Sequence, residues 1–224
     1  MHLSKDKKIY LYFFLLLFLG SINNKSLINN QFFKVQNLAL TGLNENEKII
    51  LISKLNEIRE EDIFFVSRDK IIKILNSNNL IESFFVNKNY PSSLNLEIKK
   101  TSHLANIELE GENFIIGSNK KLIKSESFNP NLPIVIGNPS TGDFFKIKEN
   151  IFESLLNFSD LKKLTFYPSK RWDLELKNGI LVKLPINEDI NVINNFYKIM
   201  KSSKFKNVKT FDMRIENQLI INEQ

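Results

Sequence analysis

The stretch Arg171-Trp172-Asp173-Leu174-Glu175-Leu176-Lys177-Asn178-Gly179-Ile180-Leu181-Val182-Lys183-Leu184 decides the fold of the second half of this chain. Trp172, Leu174 and Leu176 alternate with Arg171, Asp173 and Glu175, the period of a strand with one buried and one wet face. Asn178-Gly179 is a hairpin dipeptide, and Ile180–Leu184 returns as the second arm. Downstream, Asp189 is positioned to cap a helix whose Ile193, Phe196, Tyr197 and Met200 share a face. Val208–Arg214 and Leu219–Ile221 then read as closing strands. Upstream, Leu104–Leu109, Phe114–Ile116, Leu122-Ile123, Leu132–Ile136 and Leu164–Tyr167 read as strands, punctuated by Glu110-Gly111-Glu112-Asn113 and Gly137-Asn138-Pro139. Phe144–Phe158 has helical spacing through Ile147, Ile151, Leu155 and Phe158. Residues 101–224 are therefore expected to form a mixed β-sheet domain with flanking helices. Consecutive strands usually neighbour one another, so Leu219–Ile221 is expected at a sheet edge.

The first half has a different order. Phe32–Leu40 reads as a strand stopped by Thr41-Gly42, where Gly42 suits a positive φ. Asn44 caps a helix that begins with Glu45 and Glu47, acids suited to its positive first turn. Ile49, Ile52 and Leu55 recur on one face of that helix, with Leu51 and Ile58 beside it. Arg59–Asp62 forms a loop, Ser67 caps a second helix carrying Ile71, Ile74 and Leu75, and Asn76–Asn79 ends it. Leu80–Lys88 and Leu94–Lys99 are strands joined by a turn at Asn89-Tyr90-Pro91-Ser92. The expected order is β-α-α-β-β, and the fold class of the whole is α+β.

At the start of the chain, Lys5, Lys7 and Lys8 precede an apolar run, Ile9–Leu19, that continues through Gly20, Ser21 and Ile22. The run is shorter than the ~18–20 residues a spanning helix normally needs. It fits either a retained anchor or the hydrophobic region of a cleaved signal peptide. Leu19-Gly20-Ser21 is a poor cleavage site, which favours an anchor over residues 9–24 marked by Ile9, Phe14, Leu19 and Ile22. In either case the lysines hold residues 1–8 in the cytoplasm and send the remainder across the membrane.

Composition excludes several classes of function. Apolar residues make up 42% of the 224-residue chain, enough for real cores. The net charge is +6, but the lysines are dispersed among acids with no basic run, so no nucleic acid is expected as partner. With no cysteine there is no disulfide, thiolate metal site or Cys nucleophile. His2 and His103 are the only imidazoles, and neither has a partner at ligand or triad spacing. No phosphate-binding glycine loop is present. An enzyme is not expected, nor a cofactor or small-molecule substrate.

The pattern Val35-x-x-Leu38-x-Leu40-x-Gly42, two helices, then Phe85-Val86-x-Lys88-x-Tyr90-Pro91-x-x-Leu94-x-Leu96-x-Ile98 resembles a POTRA domain, a small docking module found outside the inner membrane. One such module directly after an N-terminal anchor resembles the FtsQ/DivIB family of bacterial cell-division proteins. Leu132-Pro133-Ile134-Val135-Ile136-Gly137 is similar to that family's Leu-Pro-x-x-x-Gly segment. Arg171–Leu184 is similar to its long hairpin, and Phe211-Asp212-Met213-Arg214 to its Val-Asp-Leu-Arg block. The resemblance divides the chain into a cytoplasmic segment (1–8), an anchor (9–24), a POTRA domain (25–100) and an FtsQ-type β domain (101–224). It departs from the family in a very short N-terminus and in a C-terminus that stops just after the last strand.

What the resemblance implies is a single-pass inner-membrane scaffold of the divisome at the septum. Such a scaffold links early and late division proteins by binding FtsB and FtsL and regulates septal peptidoglycan synthesis. Other readings of the residues are a POTRA-containing secretion or assembly factor and a processed periplasmic protein-binding module. The resemblance carries partner binding onto Arg171 at the hairpin start, onto Ile215, Asn217 and Leu219 after the Asp-x-Arg block, and onto the strand through Ile221. Ile220 reads most simply as an inward core residue. Asp212 and Arg214 are expected to tie their strand to its neighbours.

Overall fold

The computed structural model describes residues 5–22, 33–187, 189–215 and 218–223. The chain divides into two compact units, Met1–Lys100 and Thr101–Gln224.

The first unit begins with helix α1 (Lys5–Ile22). Ile9, Phe14 and Leu19 are exposed on it, as are the other apolar side chains from Tyr10 to Phe18. Its uncharged stretch, Ile9–Ile22, rises about 21 Å, against the roughly 30 Å of a bilayer core. Among the described residues no helix is long and apolar enough to cross a membrane. Ile22 is the last residue of α1, so the end of the expected anchor, residues 23 and 24, lies outside the described residues.

The rest of this unit is β1 (Asn37–Thr41), α2 (Glu45–Arg59), α3 (Arg68–Asn76), β2 (Ile81–Asn89) and β3 (Ser93–Lys100). The sheet order is β1-β3-β2, with β1 parallel and β2 antiparallel to β3. Asn44 and Glu47 close a reciprocal capping box at the start of α2. Gly42 has φ +87° and lies against β3, where an added Cβ would meet the Ile98 carbonyl oxygen at 1.7 Å.

Two expectations are corrected here. The buried face of α2 is Leu51, Leu55 and Ile58, whereas Ile49 is 65% exposed. Those three, four residues and then three apart, form as good a stripe as the one chosen from spacing, and Leu94, Leu96 and Ile98 of β3 select it. The first strand begins at Asn37, five residues later than expected. Before it, the chain is pinned to the α2–α3 loop by Val35 N–H to Glu61 O and Ile63 N–H to Phe33 O.

The second unit is one nine-stranded sheet. Its elements are β4 (His103–Leu109), β5 (Glu112–Gly117), β6 (Leu122–Lys124), β7 (Ile134–Ile136), α4 (Thr141–Glu153), β8 (Leu161–Phe166), β9 (Trp172–Leu176), β10 (Leu181–Lys183), α5 (Ile190–Lys201), β11 (Val208–Asp212) and β12 (Ile220–Glu223). The order is β12-β11-β10-β9-β8-β7-β4-β5-β6. The pairs β4–β7, β7–β8 and β10–β11 are parallel and the others antiparallel. Helices α4 and α5 make the β7-to-β8 and β10-to-β11 crossovers. Strands β7 and β10 run the same way, and both crossovers move toward β12, so right-handed connections put both helices on one face. Phe144, Ile147 and Ile151 of α4 and Ile193 and Phe196 of α5 accordingly share a core with Trp172, Leu174, Leu176 and Phe211.

Helix α4 stops at Glu153, before the expected Phe158. Ser154 adopts an extended backbone, its hydroxyl donates to Ile151 O, and it accepts from Leu156 N–H. That turn sends Leu156 into the core and leaves Leu155 half exposed. The Asn178-Gly179 turn forms as read, with Gly179 at φ +85° and Leu176 N–H donating to Ile180 O.

Candidate docking edge

Strand β12 ends the sheet. It pairs antiparallel with β11, Phe211 opposite Ile221 and Asp212 opposite Ile220, and among the described residues no strand covers its other side. Successive residues of such a strand aim their N–H groups alternately at the neighbour and away from it. One of Ile220 and Ile221 therefore turns its N–H and C=O outward. Ile220 is 56% exposed and Ile221 38%. The expectation of Ile220 as core is thus corrected, because it shares the face of Asp212, opposite the core face that Phe211 occupies. Proteins commonly blunt a bare edge with Lys, Pro or a bulge; Ile220 and Ile221 provide neither Lys nor Pro.

Alongside the strand, Val192 and Ile199 of α5 with Met213, Ile215 and Leu219 line a groove of about 410 Å³. Asp212, Arg214, Ile215, Gln218 and Ile220 line a second hollow of about 310 Å³. Of the residues expected at the site, Ile215 is exposed and borders both hollows, and Leu219 is half-buried in the first. Ile221 lies on the strand, and Asn217 lies outside the described residues.

Arg171 is not on the edge. It sits just before β9, three strands inward, and is largely buried. Its Nε donates to Asp173 Oδ1 at 3.2 Å, and its guanidinium lies 4.2 Å from the centre of the Tyr167 ring. The Tyr167 hydroxyl donates to the other oxygen of Asp173 at 3.1 Å, and Asp173 is only 4% exposed. Asp173 opposes Lys183 on β10, Lys183 opposes Asp212 on β11, and Asp212 opposes Ile220. Arg214 turns back on Asp212, its Nε within 2.8 and 2.9 Å of the two carboxylate oxygens and its Nη2 at 2.6 Å from Oδ2. The Asp212–Arg214 pair therefore closes within its own segment rather than tying β11 to its neighbours. It also ends β11, two residues short of the expected Arg214. These hydrogen bonds from Arg214, helped by Lys183, hold the Asp212 carboxyl below the usual carboxylate range. The row leading to β12 thus carries three cations (Arg171, Lys183, Arg214) against two carboxylates (Asp173, Asp212).

Sequence reasoning missed Val192, Ile199, Lys183 and Tyr167. Val192 and Ile199 were legible: they are apolar and one turn apart twice over, yet they fall outside the stripe of Ile193, Phe196 and Met200. A second apolar stripe on a helix already buried by the first is the mark of a groove. Tyr167 carried no signal, since its contact with Arg171 depends on the β8–β9 turn.

Outward main-chain groups, an apolar slot and one surplus positive charge are the features of a module that docks another polypeptide. The family model for the cell division protein FtsQ/DivIB, C-terminal, matches residues 105–214, nearly the whole of the second unit. Relatives named cell division protein FtsQ align along most of the chain. The Rickettsia bellii protein is 24% identical over 205 residues, covering 84% of this chain and 72% of its own. The Rickettsia prowazekii protein is 24% identical over 206 residues with the same coverage. The Bradyrhizobium diazoefficiens protein is 21% identical over 210 residues, covering 88% and 58%. The solved extracytoplasmic domain of the trans isomer of DivIB from Geobacillus stearothermophilus aligns with 46% of this chain and 94% of that one, at 12% identity and a TM-score of 0.36, too loose to bear on the fold. Residues 105–214 thus carry the FtsQ/DivIB C-terminal domain, and the chain is similar along most of its length to FtsQ cell-division proteins.

Proposed function

We propose that this chain is a membrane-attached divisome scaffold that receives a short strand of FtsB along β12, with FtsL in the same assembly, and so influences septal peptidoglycan synthesis. The observation that carries the reading is the β12 edge: outward main-chain groups on an isoleucine pair, beside a groove that accepts an apolar side chain. An acidic residue of the partner would offset the surplus cation of the row from Arg171 to Arg214. Residues 25–100 act as the POTRA domain, a reading supported by the β-α-α-β-β order and by the flank of β2, which no strand covers among the described residues. Residues 101–224 act as the docking domain. Helix α1 holds the chain at the inner membrane, with Lys7 and Lys8 on the cytoplasmic side and residues 25–224 outside.

The test is capture of FtsB by the parent chain and by Ile220→Pro and Ile221→Pro, each checked by circular dichroism. One of these substitutions removes the outward N–H, and its capture is expected to be lost. Undiminished capture by both folded variants contradicts strand addition. Membrane retention is tested separately. Mature protein that begins near residue 23 and washes off membranes contradicts the anchor and favours a processed module.

A further inference from the structure

The α2–α3 loop of the first unit puts large aromatic rings into water. Phe65 is 83% exposed, Phe64 55% and Tyr90 59%. Phe64 stacks on Tyr90 with ring centres 4.9 Å apart, and Phe33 meets Phe64 edge-on at 5.4 Å. The rings come from three places in the chain: the approach to β1, the α2–α3 loop and the β2–β3 turn.

The loop that carries two of them is fastened at several points. Lys88 Nζ donates to the carbonyl oxygens of Ile63 and Val66 on either side of the phenylalanine pair, at 2.8 and 3.0 Å. Asp62 accepts from Phe64 N–H, and Ile63 N–H donates to Phe33 O. Ile63 and Val66 are buried while Phe64 and Phe65 between them are not. The loop thus spends its inward positions on aliphatic residues and holds its largest rings outward. A cluster of this kind on a fixed loop marks an interaction surface.

Three observations choose the occupant. Ten residues, 23–32, separate the end of α1 from Phe33, so the cluster lies within about 40 Å of that end even for a fully extended chain. The charges around the rings balance: residues 57–70 with Lys34 and Lys88 carry five cations and five carboxylates, among them the Lys34–Glu60 and Lys70–Glu61 pairs, which leaves no net charge to draw an anionic headgroup. Phenylalanine and tyrosine rings are suited to the boundary between headgroups and acyl chains.

We infer that the Phe33–Phe64–Phe65–Tyr90 cluster seats the first unit on the zwitterionic surface of the bilayer to which α1 is attached. The inference rests on the reading of α1 as the membrane attachment. It makes the first unit a module held against the lipid with its β2 flank displayed, rather than one swinging on a tether.

The test uses the full chain in phosphatidylcholine vesicles with and without bromine near the headgroup end of the acyl chains, which quenches tryptophan at that depth. Three single variants are compared with the parent, whose Trp172 is buried: Phe65→Trp, Phe152→Trp on the exposed face of α4, and Tyr10→Trp in α1. Phe65→Trp is expected to lose emission and shift to the blue in brominated vesicles, whereas Phe152→Trp keeps its emission. Equal emission of Phe65→Trp in the two vesicle types overturns the inference. Tyr10→Trp reports the attachment by itself: if it is unquenched while Phe65→Trp is quenched, the cluster binds lipid and the anchor reading fails. If Tyr10→Trp alone is quenched, the anchor stands and the cluster is not at the surface.

Discussion

Asp173 concentrates the chemistry of the second unit in one buried carboxylate. Its oxygens are met by Arg171 and Tyr167, with Lys183 in register beside it. Removing the guanidinium leaves a buried acceptor short of its cation. Arg171→Ala is accordingly expected to destabilise the fold by about 1–3 kcal/mol in urea unfolding, and Arg171→Lys by less. Arg171→Glu is expected to weaken FtsB capture by about 2–5 kcal/mol, but only a variant still folded reads binding alone. Asp212 differs in kind. Its carboxyl pKa is lowered in the folded chain, chiefly by hydrogen bonds from Arg214, so it stabilises the fold above the unfolded carboxylate range. That contribution is lost as the pH falls through the folded value. Urea unfolding from pH 7 down to pH 3 is expected to show Asp212→Asn losing less stability on acidification than the parent; an equal loss would place the pH dependence elsewhere. The resemblance pointed to Arg171, but sequence spacing could not reveal that it already has an internal partner.

Helix α2 is the clearest case of an element whose existence was legible and whose orientation was not. Asn44, Glu45 and Glu47 announce its start, and the capping box forms as their types require. The helix has isoleucines on more than one side, so periodicity allows two stripes, and only β3 decides between them. Leu51→Ala is expected to cost about 2–5 kcal/mol, while Ile49→Ala on the exposed side stays within about 0.5 kcal/mol, both read by urea unfolding. Equal costs would return the buried face to the isoleucines. Gly42 was legible for a simpler reason: a strand followed by a capped helix needs a tight turn. Its φ of +87° and its approach to the Ile98 carbonyl leave no room for a methyl group. Gly42→Ala is expected to cost more than the roughly 1 kcal/mol of a positive φ alone. The end of α4 was not legible, because Leu155 and Phe158 keep the helical spacing after Ser154 has turned the chain. The same holds for β11, which the Arg214–Asp212 closure ends early.

At the scale of the molecule, alternation and turn chemistry gave each strand, but the order of nine strands depends on the crossovers. The hairpin arms β9 and β10 neighbour each other as Asn178-Gly179 demands. Strand β7, by contrast, lies between β4 and β8, with β5 and β6 on the far flank, and nothing local encodes that. What did follow from sequence was the outer position of the last strand, since a chain that adds β11 through α5 and then turns back finds only one free side. In the proposed assembly that outer strand is the functional feature of the second unit, and backbone hydrogen exchange tests it most directly. The exchange of the Ile220 and Ile221 amides is measured in the full chain, alone and with FtsB bound. Strand addition predicts that one of the two slows by at least about tenfold in the complex while β6, at the other flank, is unchanged. A stable complex in which both amides exchange as fast as in the free chain would contradict the account.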